Sequence, residues 1–136
     1  MTTYVDASVL LRVIQGAADA LPSWGLITPV SSQLVRVECL RVIDRARTKG
    51  LTDDLTAARD RTAVLEALSA FSLLAVTDAV LQRAADPFPT ALGTLDAIHL
   101  ASALELRAEF PDLEIATHDR ELAVAAQSIG FTVVGA

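Results

Sequence analysis

The sequence predicts an α/β fold with a mainly parallel sheet covered on both faces. Short β-prone aliphatic runs alternate with longer helical stretches from one end of the chain to the other. Several of the helical stretches open at Ser, Thr or Asp and close at glycine, the usual start and stop signals. No repeat, low-complexity tract or linker interrupts the alternation, so residues 1–136 read as one domain.

Taken in order, Thr2–Val5 is the first strand and Ser8–Gln15 a helix closed by Gly16. Asp6 therefore stands at the carboxyl end of a strand. Residues 17–25, with Pro22 and Trp24, form a short helix or an irregular connection. Leu26–Val30 is the second strand, and Ser31 or Ser32 caps a helix that runs to about Thr48 and ends at Gly50. Thr52 starts the next helix, with Asp53 and Asp54 in its first turn, and this continues to about Ala70. Phe71–Val76 is the third strand, and Thr77 caps a helix to about Ala85. The stretch DPFPTALG, residues 86–93, is a loop. A helix capped by Thr94 then runs to about Glu109, Glu114–Thr117 is the fourth strand, Asp119–Ile129 is a helix closed by Gly130, and Phe131–Val134 is the fifth strand.

The helix from Thr94 poses the main chemical question. It is apolar almost all round, which predicts burial, and its polar residues Asp96, His99, Ser102 and Glu105 recur at every third position as one stripe. Asp96 opens that stripe inside the first turn, where a carboxylate taken out of water needs a partner or a shifted pKa. The helix amino terminus could serve as partner. So could a bound cation, provided other carboxylates converge on it.

Bulk composition narrows the choices. The chain is 52% hydrophobic with a net charge of −6, so it is globular, and bulk electrostatics do not favour nucleic acid. Yet Arg36, Arg41, Arg45, Arg47 and Lys49 cluster on one helix, where they make either a local basic face or an ordinary solvated one. A membrane span needs about 18 to 20 apolar residues without charge, and no run here reaches that. The start of the chain lacks the pattern of a signal peptide, so residence in the cytoplasm is expected. A single cysteine, Cys39, excludes an internal disulfide, and with only His99 and His118 a metal site must be built from carboxylates, which favour Mg²⁺ or Mn²⁺.

In open α/β sheets ligands bind beyond the carboxyl ends of the strands, where the strand order reverses. Asp6 lies past the first strand and Asp119 past the fourth. If those strands are neighbours, the two acids face each other across a crevice, and the helix from Thr94 can bring Asp96 to the same rim. Glu38 is a fourth candidate, mid-helix at the border of an apolar arc, where either an ion pair with Arg41 or a ligand role accounts for it.

The stretches YVDASVLLR, SQLVRVECLRV, LGTLDAIHLASAL and ATHDRELAVAAQSIGF, in this order, resemble the PIN-domain ribonucleases and, within them, the VapC toxins of bacterial toxin–antitoxin pairs. The resemblance covers the whole chain. It implies a three-layer α/β/α fold with a central, mainly parallel five-stranded sheet in which the first strand lies beside the fourth. It implies that Asp6, Glu38, Asp96 and Asp119 are the catalytic, metal-binding acids, with Ser8 and Thr117 as polar supports and His99 as a supporting or packing residue.

On this basis the expected activity is Mg²⁺- or Mn²⁺-dependent hydrolysis of RNA, such as tRNA or rRNA, with Arg12, Arg36, Arg41, Arg45 and Arg120 as candidate RNA contacts. The resemblance also implies a cognate VapB-like antitoxin and a homodimer. Leu10, Leu11, Val13, Ile14, Leu21 and Trp24 could line the antitoxin groove, or form ordinary core. A phosphoacceptor domain would want a lysine after a late strand, and Lys49, the only lysine, is elsewhere. A haloacid-dehalogenase-like phosphatase would want an Asp where Ser8 stands. The remaining alternative is a catalytically silent PIN-like RNA-binding or scaffold module.

Overall fold

Strands and helices alternate as β1 (Thr2–Val5), α1 (Ala7–Ile14), β2 (Thr28–Ser32), α2 (Leu34–Thr48), α3 (Asp54–Leu68), β3 (Ser72–Leu74), α4 (Asp78–Ala85), α5 (Thr94–Arg107), β4 (Glu114–Ala116), α6 (Arg120–Ser128) and β5 (Val133–Val134) in the computed structural model, which describes residues 1–136. A single 3-10 turn, Trp24–Leu26, lies in the connection between α1 and β2. The five strands form one sheet in the order β3-β2-β1-β4-β5, and every neighbouring pair is parallel.

Residue alternation along the strands divides the core into two halves. Val5 and Ala116 turn to one face, where α1, α2 and α3 supply Val9, Leu10, Val35, Cys39, Val64 and Leu68. Tyr4, Val30 and Ile115 turn to the other, where α5 and α6 supply Leu100, Ala103, Leu122 and Ala126. Both faces are covered, as parallel sheets require. The thiol of Cys39 is pushed up to about 12, first by burial and then by the charges of Glu38 and Asp6, so it behaves as an inert core residue.

The order places β1 beside β4, with Thr3 opposite Glu114 and Val5 opposite Ala116. The two strands end level, and the segments that leave them, Asp6 and Thr117–Asp119, start side by side. Here the chain turns left to β2 and right to β4, the reversal at which a crevice opens. Gly16 and Gly50 close α1 and α2 with φ of 64° and 72°, the left-handed conformation that a side chain disfavours.

Several boundaries differ from the sequence expectation for local reasons. Ser31 and Ser32 belong to β2 rather than capping α2 from outside the sheet. The Ser31 hydroxyl donates to the Val5 carbonyl at 2.7 Å, while Ser32 Oγ still accepts from Leu34 N at 3.0 Å. Asp53, not Thr52, caps α3, accepting from Thr56 N at 2.7 Å. Gly93, not Thr94, is the N-cap of α5 and offers no side-chain acceptor. Leu95 is 49% exposed, so α5 does have a solvent face at its amino end. No helix is long and apolar enough to cross a membrane.

Candidate functional site

Asp6 is 6% exposed at the junction of β1 and α1. It occupies the N-cap position but makes no side-chain cap bond. Its carboxylate faces the neighbouring turn instead. Ser8 Oγ donates to Oδ2 at 2.8 Å and Thr117 Oγ1 donates to the same oxygen at 2.6 Å. Both bonds land on Oδ2, which leaves Oδ1 available to a ligand.

The same two hydroxyls fix the turn after β4. Ser8 Oγ accepts from His118 N at 3.0 Å, and Thr117 Oγ1 accepts from Asp119 N at 2.9 Å. Each hydroxyl thus donates to Asp6 and accepts from the backbone that carries Asp119. The sequence expectation of polar supports at Ser8 and Thr117 has this geometry. Asp119 is also a cap, its Oδ1 accepting from Glu121 N at 2.9 Å and Leu122 N at 3.2 Å. The capping explanation holds for one of its oxygens, and Oδ2 carries no protein hydrogen bond.

Glu38 does not pair with Arg41, which instead meets Asp44 at 3.2 Å. Its Oε1 is bonded to Nε2 of His99 on α5, and His99 Nδ1 is in turn 2.6 Å from the Tyr4 hydroxyl. His99 and Tyr4 are each 1% exposed. Burial holds the Tyr4 phenol well above its ordinary range, so it stays protonated. Tyr4 escaped the sequence reading. The available signal was its solitude: a buried tyrosine in an aliphatic strand must find a partner for its hydroxyl, and it is the only tyrosine in the chain.

Asp96 completes the set from the first turn of α5. It is half-buried, and its carboxyl is pushed up from 3.8 to about 6, first by burial, then by the negative charges of Asp119 and Asp6, with a smaller push from Glu38 and some relief from His99. The helix amino terminus therefore fails to offset the repulsion. Asp96 thus feels the charges of three acids far from it in sequence, Asp6, Glu38 and Asp119.

These acids do not form a closed cage. No three Asp, Glu, His or Cys side chains converge closely enough to grip an ion as they stand, and Asp6, Glu38 and Asp119 each have a separate anchor. An all-protein cage for a dehydrated ion is excluded, but Mg²⁺ keeps several of its waters and takes only one or two carboxylates directly. All-oxygen donors, a free oxygen on Asp6 and an acid whose proton affinity is raised by its neighbours fit such a hydrated hard cation.

Of the arginines singled out above, Arg36, Arg45 and Arg120 are exposed and have no acidic partner, whereas Arg12 is paired with Asp19 at 3.1 Å and Arg41 with Asp44. Arg36 and Arg41 share a shallow cleft between α2 and α3 with Arg61, which the sequence pattern did not single out. Leu10 and Leu21 are core, and Leu11, Ile14 and Trp24 pack against them.

The PIN domain family profile matches residues 3–127. The chain is 31% identical to "Ribonuclease VapC35" of Mycobacterium tuberculosis, over 96% of this chain and 94% of that one. It is 35% identical to "Ribonuclease VapC46" of the same organism, over 96% of this chain and 95% of that one. Among solved structures it resembles a chain of a toxin–antitoxin complex from Klebsiella pneumoniae, with a TM-score of 0.59 at 18% identity over 97% of this chain and 95% of that one.

Proposed function

Because the chain belongs to the PIN-domain family, and within it to the VapC ribonucleases, we propose that it is a divalent-metal-dependent endoribonuclease and the toxin of a toxin–antitoxin pair. The observation that supports metal dependence is Asp96, a half-buried acid whose carboxylate carries no protein hydrogen bond and is pushed toward protonation first by burial and then by the charges of Asp119, Asp6 and Glu38. Asp6 and Asp96 would hold Mg²⁺ or Mn²⁺, with Glu38 and Asp119 binding directly or through water. When bound, such an ion polarises the scissile phosphate and lowers the pKa of a water.

The protein's own groups do the rest. Ser8 and Thr117 keep Oδ2 of Asp6 occupied, so that its other oxygen has one orientation toward the rim. Thr117 ties Asp6 to the backbone of Asp119, which fixes the spacing of the two acids. Arg120, next to Asp119, and the unpaired Arg36 and Arg45 would attract the phosphate backbone against the net charge of −6. His99 supports Glu38. Neither histidine offers a solvent-facing ring nitrogen at the rim as a metal-independent base: His99 is bonded at both nitrogens, and His118, whose Nδ1 is 2.6 Å from the Gly135 carbonyl, keeps an unpartnered Nε2 that is buried.

A cognate VapB-like antitoxin and a homodimer belong to the same proposal. The relatedness to VapC ribonucleases and the likeness to a chain of the Klebsiella pneumoniae toxin–antitoxin complex support the first. The proposal is tested by incubating the protein with tRNA, rRNA and single-stranded RNA in MgCl₂, in MnCl₂ and in EDTA. Cleavage that needs a divalent ion and is suppressed by the co-expressed antitoxin is expected. Cleavage undiminished in EDTA, or no cleavage of any RNA with either ion, would refute it.

A further inference from the structure

We infer that Tyr4 and His99 are positioning residues for Glu38, forming a hydrogen-bonded rod that runs from the middle of the sheet to the acidic rim. This inference rests on the reading of that rim as a metal centre.

With His99 neutral and Glu38 ionised, the direction of every link in the rod follows from which groups can donate. A carboxylate only accepts, so His99 Nε2 must donate to Glu38 Oε1. A neutral imidazole that donates through Nε2 can only accept at Nδ1, and the Tyr4 hydroxyl donates there across 2.6 Å. Reversing any one link would leave a buried donor facing a donor, or an acceptor facing an acceptor.

The root of the rod is well anchored. Tyr4 sits in β1 with a strand on each side, in register with Val30 on one and Ile115 on the other. Its ring meets that of His99 edge-on, at 78° and 5.7 Å between centroids. Both side chains are 1% exposed, so water does not compete for their polar atoms.

The hydroxyls of Ser31 and Ser102 lie beside the Tyr4 hydroxyl, but each donates its proton to a backbone carbonyl rather than to Tyr4 or His99. Ser31 Oγ donates to the Val5 carbonyl and Ser102 Oγ to the Ile98 carbonyl, each at 2.7 Å. The buried pair ends instead on Glu38, a rim acid that no other side chain or amide holds. Asp6 has Ser8 and Thr117, Asp119 has two backbone amides, and Arg41 is committed to Asp44. Glu38 has three rotatable bonds and only the rod to choose among its rotamers. One oxygen is held, and the other is left to a ligand.

The test is Mn²⁺ affinity of the purified protein, read by electron paramagnetic resonance of free Mn²⁺, with RNA cleavage measured in parallel. His99→Leu is expected to weaken Mn²⁺ binding about 10- to 100-fold, the usual cost of removing a ligand's supporting hydrogen bond. His99→Gln can present an amide N–H near the former Nε2 position, and it should recover most of that loss. Tyr4→Phe removes one neutral donor and should weaken binding about 2- to 10-fold. In a Glu38→Gln background, His99→Leu should have no further effect.

Additive losses in that double variant, or no rescue by His99→Gln, would reduce His99 to a packing residue and overturn the inference. Should His99→Leu fail to fold by circular dichroism, Tyr4→Phe decides, and wild-type Mn²⁺ affinity in that variant refutes the rod. Asp96→Asn separates the two levels of the argument. If it abolishes Mn²⁺ binding while His99→Leu binds as wild type, only the rod fails; if Asp96→Asn binds as wild type, the metal centre fails and the rod with it.

Discussion

Asp96→Asn and, independently, Asp6→Asn are each expected to abolish metal-dependent RNA cleavage while leaving the fold intact. Asparagine preserves the shape of both side chains. At position 6 its carbonyl oxygen could still accept from Ser8 and Thr117, which now both donate to Oδ2. The amide NH₂ would then replace Oδ1 and turn its hydrogens toward the cation. At position 96 the substitution removes the charge on which the other three acids press. A divalent ion supplies several kcal/mol of transition-state stabilisation, so a loss of about a thousandfold or more in kcat is expected from either change. Rates are best compared at saturating RNA beside the circular dichroism spectrum of each variant. Wild-type turnover by either folded variant would show that the rim acids are not the centre of the reaction.

The same repulsion predicts how stability depends on pH when no metal is present. The folded-state pKa of Asp96 is raised from 3.8 to about 6, so the fold prefers the protonated form. The penalty is absent below pH 3.8, grows as pH rises through the interval to about 6, and is fully present above it. Because the side chain is only half-buried, solvent screens much of the effect, and about 1 kcal/mol is a fair magnitude. Other carboxylates titrate in the same range, so the informative quantity is a difference between proteins. In EDTA at pH 7.5, Asp96→Asn should melt about 3 °C above wild type, and the gap should close as pH falls toward 4. Added MnCl₂ should reverse the order by stabilising wild type more than the variant. A variant less stable than wild type in EDTA at pH 7.5 would mean that local amides already satisfy Asp96.

Much of the architecture was legible because the two periods of the sequence are distinct. The strand Thr2–Val5 was bounded by Asp6, and Gly50 and Gly130 marked helix ends that the chain respects. Placing β1 beside β4 came from the family resemblance, and the sheet order agrees with it. What periodicity could not show was tertiary. Ser31 and Ser32 carry the composition of a helix cap, yet Ser31 stays in the sheet because its hydroxyl reaches Val5 on the next strand. Thr94 also looked like a cap, and Gly93 holds that position instead.

The rim was partly legible for the same reason. Asp6 and Asp119 could be placed from strand ends alone, since the boundaries of β1 and β4 locate them. Glu38 could not, because its partner is 61 residues away and a helical wheel shows only neighbours on the same helix. Arg41 was the nearest candidate by that logic and is taken by Asp44. Tyr4 was invisible as a site residue because a strand pattern reports which face a side chain occupies, not what its hydroxyl touches.

The central claim is that these acids form a pocket whose negative charge a divalent ion resolves. Anomalous diffraction from Mn²⁺-soaked crystals tests it most directly. One or two peaks between Asp6 and Asp96, with Glu38 and Asp119 in the same coordination sphere or one water removed, are the expected result. Saturating Mn²⁺ with no peak at this rim, and Asp96 instead bonded to its own helix amides, would contradict it.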